Sequence, residues 1–135
     1  MRESMARQEM TTPTAAVDNA TWQDAEELRW AARHWAARIG VKPTRIQLRP
    51  MHSKWGSIST AGRLTLNTEL IELPRSLGEF VIVHELVHLL APNHGRVFKS
   101  FIRAYLPDWQ QRERELRQVG KKTRAGRGSG RSVHG

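Results

Sequence analysis

The chain has 135 residues, a size that fits one domain with a substantial core. It contains no cysteine, which excludes disulfides and thiolate metal sites and leaves His, Asp and Glu as candidate ligands. The formal net charge is +9: Lys121, Lys122, Arg124, Arg127 and Arg131 carry +5 within residues 120–135, with no acid among them, and the remaining +4 is spread over the rest. No segment approaches the ~20 apolar residues of a membrane span. The first twenty residues hold Arg2, Glu3, Arg7, Glu9 and Asp18 without an apolar block, so they do not read as a signal peptide and a cytoplasmic location is expected.

Residues 1–19 are polar and without a clear period, and read as a disordered leader to a domain spanning residues 20–119. Thr21 to Asp24 has the form of a capping box that opens a helix. Trp22, Ala25, Leu28, Ala32, Trp35, Ala36 and Ile39 recur at helical spacing, and Gly40 followed by Pro43 supplies the stop. Three strand-like pieces come next, around Ile46 and Leu48, from Trp55 to Ser59, and around Leu64 and Leu66, with Thr60-Ala61-Gly62 as a hairpin turn. Pro50 should mark a bend.

A second helix is expected to begin between Pro74 and Ser76, with Ser76 and Glu79 as its capping box, and to run through Leu90 until Pro92 stops it. It is apolar on nearly every side, so it should cross the centre of the domain. Asn93 can cap a third helix with Val97, Phe98, Phe101, Ile102 and Tyr105 on one face. Pro107 suits the first turn of a fourth, ending near Val119. Residues 120–135 read as a disordered basic tail, which either contacts nucleic acid weakly or is simply solvated.

The second helix carries His84-Glu85-Leu86-Val87-His88, an H-E-x-x-H pattern. Residues four apart lie one turn above each other, so two imidazoles can converge on one ion. Glu85 points about 100° away around the helix, beside the ion rather than on it, where it can deprotonate a water. Two His and one Glu on the most apolar helix need partners to offset burial, and one divalent cation would satisfy the imidazoles together. A catalytic zinc commonly has three protein ligands and an open position. His94, just past Pro92-Asn93, is the expected third ligand. The His spacing is like that of metzincins, but Ala91 stands where they place glycine. His34 reads as a surface or packing residue, His134 lies in the tail, and His52, before Trp55, is a weaker candidate to face the site. Imidazole sites also accept other late first-row metals.

Met51 to Ser57, Leu66-Asn67, Val83 to Leu89, Asn93-His94 with Phe98, and Pro107-Asp108-Trp109 together resemble the YgjP-like metallopeptidases, relatives of the SprT-like and WLM groups. The resemblance runs from about Arg45 to Leu116. It implies zinc on His84, His88 and His94, one ion per chain, with Glu85 as the catalytic carboxylate. It also implies an α+β zincin-like fold, with a short antiparallel sheet packed on a central H-E-x-x-H helix and flanking helices. Ile58 stands where many relatives have Cys, and His52 where many have a basic residue.

The expected reaction is peptide-bond hydrolysis with Glu85 as general base. An edge strand from Trp55–Ser59 or Arg63–Asn67 would hold the peptide substrate by main-chain hydrogen bonds. Trp55 either lines the cleft or fills the core, and Tyr105 is a candidate oxyanion donor whose spacing favours packing. Three alternatives stay open. One is a metal-dependent nucleotide pyrophosphohydrolase using Arg63, Arg96 and Arg103 for phosphates. The second is a nucleic-acid-associated SprT-like protease docked by its tail, and the third is a metal-stabilised module without catalysis.

Overall fold

The computed structural model describes residues 20–124, with side chains to residue 120; the leader 1–19 and the tail beyond Arg124 lie outside the described residues. The elements are α1 (Ala25–Ile39), β1 (Arg45–Arg49), β2 (Gly56–Ile58), β3 (Arg63–Asn67), a short 3-10 turn (Thr68–Glu72), α2 (Arg75–Val87), α3 (Arg96–Tyr105) and α4 (Trp109–Arg124). The fold is α+β, as expected. No helix of the described residues is long and apolar enough to cross a membrane.

The cap of α1 is Asp24, not Thr21: its carboxylate accepts the Glu27 N–H at 2.9 Å, and the Glu27 carboxylate accepts the Gln23 N–H at 2.6 Å. Thr21 is instead held in an isolated antiparallel bridge with Pro74, and Trp22 is buried ahead of the helix. Gly40 ends α1 at φ 89°, where its N–H reaches the Ala36 carbonyl, as the sequence predicts.

The sheet corrects one expectation. It is mixed rather than antiparallel, in the order β1-β3-β2. β1 runs parallel to β3, with Arg45 beside Arg63 and Arg49 beside Asn67; β2 is antiparallel to β3, with Gly56 beside Leu66 and Ile58 beside Leu64. The cause lies in the crossing between β1 and β2. Asn67 is fully buried at the end of β3 and its side-chain amide donates to the carbonyls of Met51 (3.1 Å) and Lys54 (2.8 Å). That holds the loop after Pro50 across the end of β3, so the chain returns on the far edge. The Ser59–Gly62 hairpin turn, closed by Gly62 at φ 90°, then inserts β3 between the other two strands.

α2 crosses the centre of the domain. Leu77, Phe80, Val81, Ile82, Val83, Leu86 and Val87 are all buried, and α1, α3, α4 and the sheet pack around it. Pro74 occupies its N-cap position without a side-chain bond, so the Ser76 capping box does not form. The α-helix also ends at Val87 rather than running through Leu90. From His88 onward the backbone tightens: His88, Leu89 and Leu90 N–H groups donate to the carbonyls of Glu85, Leu86 and Val87. Gly95, not Asn93, is the N-cap of α3, whose Phe98 and Ile102 are buried while Val97 is 60% exposed, outside the expected apolar face. α4 continues past Val119 to Arg124. It is tied to the start of α2 by Arg112, which donates to the Ser76 carbonyl (3.0 Å) and to Glu79 (3.1 Å).

Candidate metal centre

The last turn of α2 carries His84, and His88 follows as the helix C-cap, so the two stand one turn apart with ring centroids close together. The tightened turn after His88 and the reversal at Pro92 then return the chain so that His94, one residue before the α3 cap, meets them. One ring nitrogen from each of His84, His88 and His94 lies within 4.8 Å of the other two. Ring centroids are 5.2 Å apart for His84 and His88, 5.1 Å for His84 and His94, and 4.6 Å for His88 and His94. Exposure rises along the set: His84 is buried, His88 half-buried and His94 exposed.

The surroundings of His88 suit a cation-binding imidazole. The His88 Nε2 atom is buried and has no hydrogen-bond partner among the described residues. Leaving such an atom unpaired costs about 1–3 kcal/mol, and a metal ion is a partner that a ring lone pair suits. Burial is the largest cause that lowers the His88 pKa below the usual histidine value, followed by the neighbouring His84; Glu85 opposes the shift. A hydrogen bond with the Ala91 backbone also acts on this ring. A bond of that kind, made by the nitrogen that does not face the ion, fixes the orientation and tautomer of a ligating histidine.

Glu85 is fully buried, and one of its carboxylate oxygens lies 3.3 Å from His84 Nδ1. It is packed by the sheet through Gly56 of β2. A Cβ at this position would stand 2.9 Å from Val81 Cγ1 and 3.3 Å from both Glu85 Cγ and the Thr65 carbonyl. Glycine therefore lets β2 lie directly against the carboxylate-bearing turn of α2. Phe98 supplies a further wall that spacing alone does not assign. It is buried, and its ring centroid stands 5.1, 4.7 and 4.8 Å from those of His84, His88 and His94. The sequence signals it by its place four residues after His94, on the apolar face of α3, and by its part in the family resemblance.

The weaker candidates fall elsewhere. His52 is exposed in the loop between β1 and β2 and is not part of the histidine group. Trp55 is buried in the core. Tyr105 packs edge-on to Trp35 at 6.4 Å, which is a packing role. His34 is exposed on α1, stacked on Trp30. Arg63 stands at the start of β3 beside Arg45, whereas Arg96 and Arg103 stand on α3.

Comparison with known structures gives matches of the same fold. The metallopeptidase zymogen abylysin of Pyrococcus abyssi aligns with a TM-score of 0.62 and 19% identity, over 68% of this chain and 93% of that one. The metallopeptidase zymogen jannalysin of Methanocaldococcus jannaschii aligns with a TM-score of 0.62 and 24% identity, over 68% of this chain and 95% of that one. No curated protein sequence matches the chain. The family model for the YgjP-like metallopeptidase domain matches residues 6–119, and by that match the chain belongs to the YgjP-like metallopeptidase family.

Proposed function

We propose that the protein hydrolyses peptide bonds, with one zinc ion held by His84, His88 and His94 and with Glu85 as general base. The observation that carries this reading is the convergence of the three imidazoles beside a buried carboxylate on the same turn of α2. The donor set supports zinc: three imidazoles leave a fourth position of a tetrahedral ion open for water or substrate. When bound, such an ion acidifies a water and polarises a carbonyl. Glu85 takes a proton from the attacking water and returns it to the leaving nitrogen, which completes hydrolysis of the amide. Phe98 packs against all three histidine rings and the buried face of α2 anchors His84, which together hold the rings in a fixed arrangement.

The fold narrows the choice of substrate strand. β3 has neighbours on both sides, so it has no free edge, whereas β2 is an edge strand and carries Gly56 against Glu85. An extended peptide added to β2 would run past the histidine cluster, held by main-chain hydrogen bonds.

The test is elemental analysis of the wild type and the His94→Ala variant, followed by turnover of a peptide library and of nucleoside triphosphates. About one zinc per chain in the wild type, weakened in the variant, with cleavage of peptides, is the expected result. No metal after zinc reconstitution would remove the basis of the reading. Consumption of triphosphates alone would replace it with pyrophosphohydrolysis at the same centre.

A further inference from the structure

We propose that a second face, formed by α1, β1 and the start of β3, binds single-stranded nucleic acid, with Trp30 as a stacking platform and Arg33, Lys42, Arg45 and Arg63 on the phosphates. Positive charge is not spread evenly over the folded part of the chain. Between Glu27 and Glu69 there is no acidic residue, and the same stretch holds Arg29, Arg33, Arg38, Lys42, Arg45, Arg49, Lys54 and Arg63. Arg29 pairs with Glu26, and Arg38 lies over the Trp35 ring. The other six make no ion pair among the described residues.

The fold gathers these cations. A groove of about 560 Å³ opens where the end of α1 meets β1, lined by Arg33, Ala37, Lys42, Thr44, Arg45 and Ile46 among others, with no carboxylate in its wall. The parallel register then sets Arg63 of β3 directly beside Arg45 of β1, both exposed. Like charges side by side on a sheet are destabilising. A polyanion laid across them removes that repulsion and releases counterions on binding.

The aromatic element adjoins the groove. Trp30 is 60% exposed, an unusual position for so large an apolar side chain. Trp30, Arg33, His34 and Ala37 share the spacing of one helical stripe, so the indole and the groove share a face, separated by roughly 10 Å of helix axis. Trp30 stacks on His34, with ring centroids 5.1 Å apart and planes inclined by 12°. An exposed indole beside spaced cations is the combination that captures unpaired bases and their phosphates. An acidic peptide would use the cations but has no base to offer the indole. The face is distinct from the metal centre, because β1 and β2 form opposite edges of the sheet and β2 is the edge whose Gly56 lies against Glu85. The proposal therefore stands whether or not the chain cleaves peptides.

The experiment is fluorescence anisotropy of a labelled oligo-deoxythymidine of about 20 nucleotides with the full chain, between about 50 and 200 mM salt. The wild type should bind, and more weakly as salt rises. Combined Arg33→Gln, Lys42→Gln and Arg45→Gln should lower affinity at least about ten-fold and reduce the salt slope by about two. Trp30→Ala should weaken binding about five- to ten-fold, with Trp30→Phe recovering most of the loss. All four positions are exposed, and thermal melts of each variant check that the fold is kept. In the tail, Arg127→Gln with Arg131→Gln should leave most of the binding in place. Absence of salt-dependent binding, full affinity in the triple variant, or unchanged affinity in Trp30→Ala would each overturn the proposal. So would displacement of the oligonucleotide by poly-glutamate at equal charge, which would assign the face to an acidic polypeptide.

Discussion

His88 and His94 converge on one point from two different kinds of structure. His88 ends a helix whose residues Phe80 to Val87 are buried without exception, so its position is fixed by the core of the domain. His94 sits in an exposed turn ahead of α3, and its ring rests on Phe98 in the first turn of that helix. In the proposed site, α2 supplies two ligands and the general base as a preorganised unit, and the third ligand closes on it from outside. Stability and metal binding should therefore separate: α2 substitutions should damage the fold, while the His94 turn should report on the ion alone.

The largest effect is expected at the carboxylate. Glu85→Gln keeps the shape of a fully buried side chain but cannot accept a proton. Peptide turnover should fall by about 10²–10⁴-fold, the usual contribution of general acid–base catalysis, while metal content stays near that of the wild type. Turnover within about ten-fold of the wild type would remove Glu85 from the role proposed for it. On the core side of the same helix, Leu86→Ala removes a fully buried side chain without touching a ligand. It should cost about 2–5 kcal/mol in urea denaturation with a chelator present, because a cavity is left in the packed centre.

Gly56→Val tests how the two layers meet. The added Cβ would sit 2.9 Å from Val81 Cγ1 and 3.3 Å from Glu85 Cγ, and both of those side chains are fully buried. A cost of about 1–3 kcal/mol from overpacking is expected. Turnover should fall further than the stability loss explains, because the strand displaced is the one that packs the carboxylate. A variant with wild-type kinetics and stability would mean that β2 can shift away from α2 freely.

Much of this centre is legible in the sequence because its signals are local. The four-residue spacing of His84 and His88, the apolar surround of α2, and the Pro92-Asn93 reversal before His94 each act within a few residues. The features that escaped are set by contacts far apart in the chain. The parallel pairing of β1 with β3 depends on Asn67 binding the carbonyls of Met51 and Lys54, and no period or turn signal in β1 encodes that. The true cap of α1 is Asp24 because Thr21 is engaged with Pro74 across the fold. Val97 fits an apolar stripe by its spacing yet stays exposed, since α3 buries mainly Phe98 and Ile102 against the histidine cluster and α2. The basic face is a similar case. Its charges are visible in the sequence, but only the register of β1 and β3 shows that Arg45 and Arg63 lie side by side.

The smallest effect on the fold, and the sharpest test of the contrast between helix and turn, is expected for His94→Ala. His94 is exposed, so without metal its loss should change stability by no more than about 0.5 kcal/mol. The wild type should gain stability on adding zinc, by about 4 kcal/mol at a thousand-fold excess over the dissociation constant, since a ligand that binds only the folded state stabilises it by mass action. His94→Ala should lose most of that gain while keeping the metal-free melting temperature. A thermal-shift titration of both proteins with zinc, started from chelator-treated samples, reads the two quantities together. If the variant gains as much as the wild type, the ion is held by α2 alone and His94 is not a ligand. If its metal-free melting temperature falls instead, the turn is part of the structural core, and the division of labour between α2 and the His94 turn is wrong.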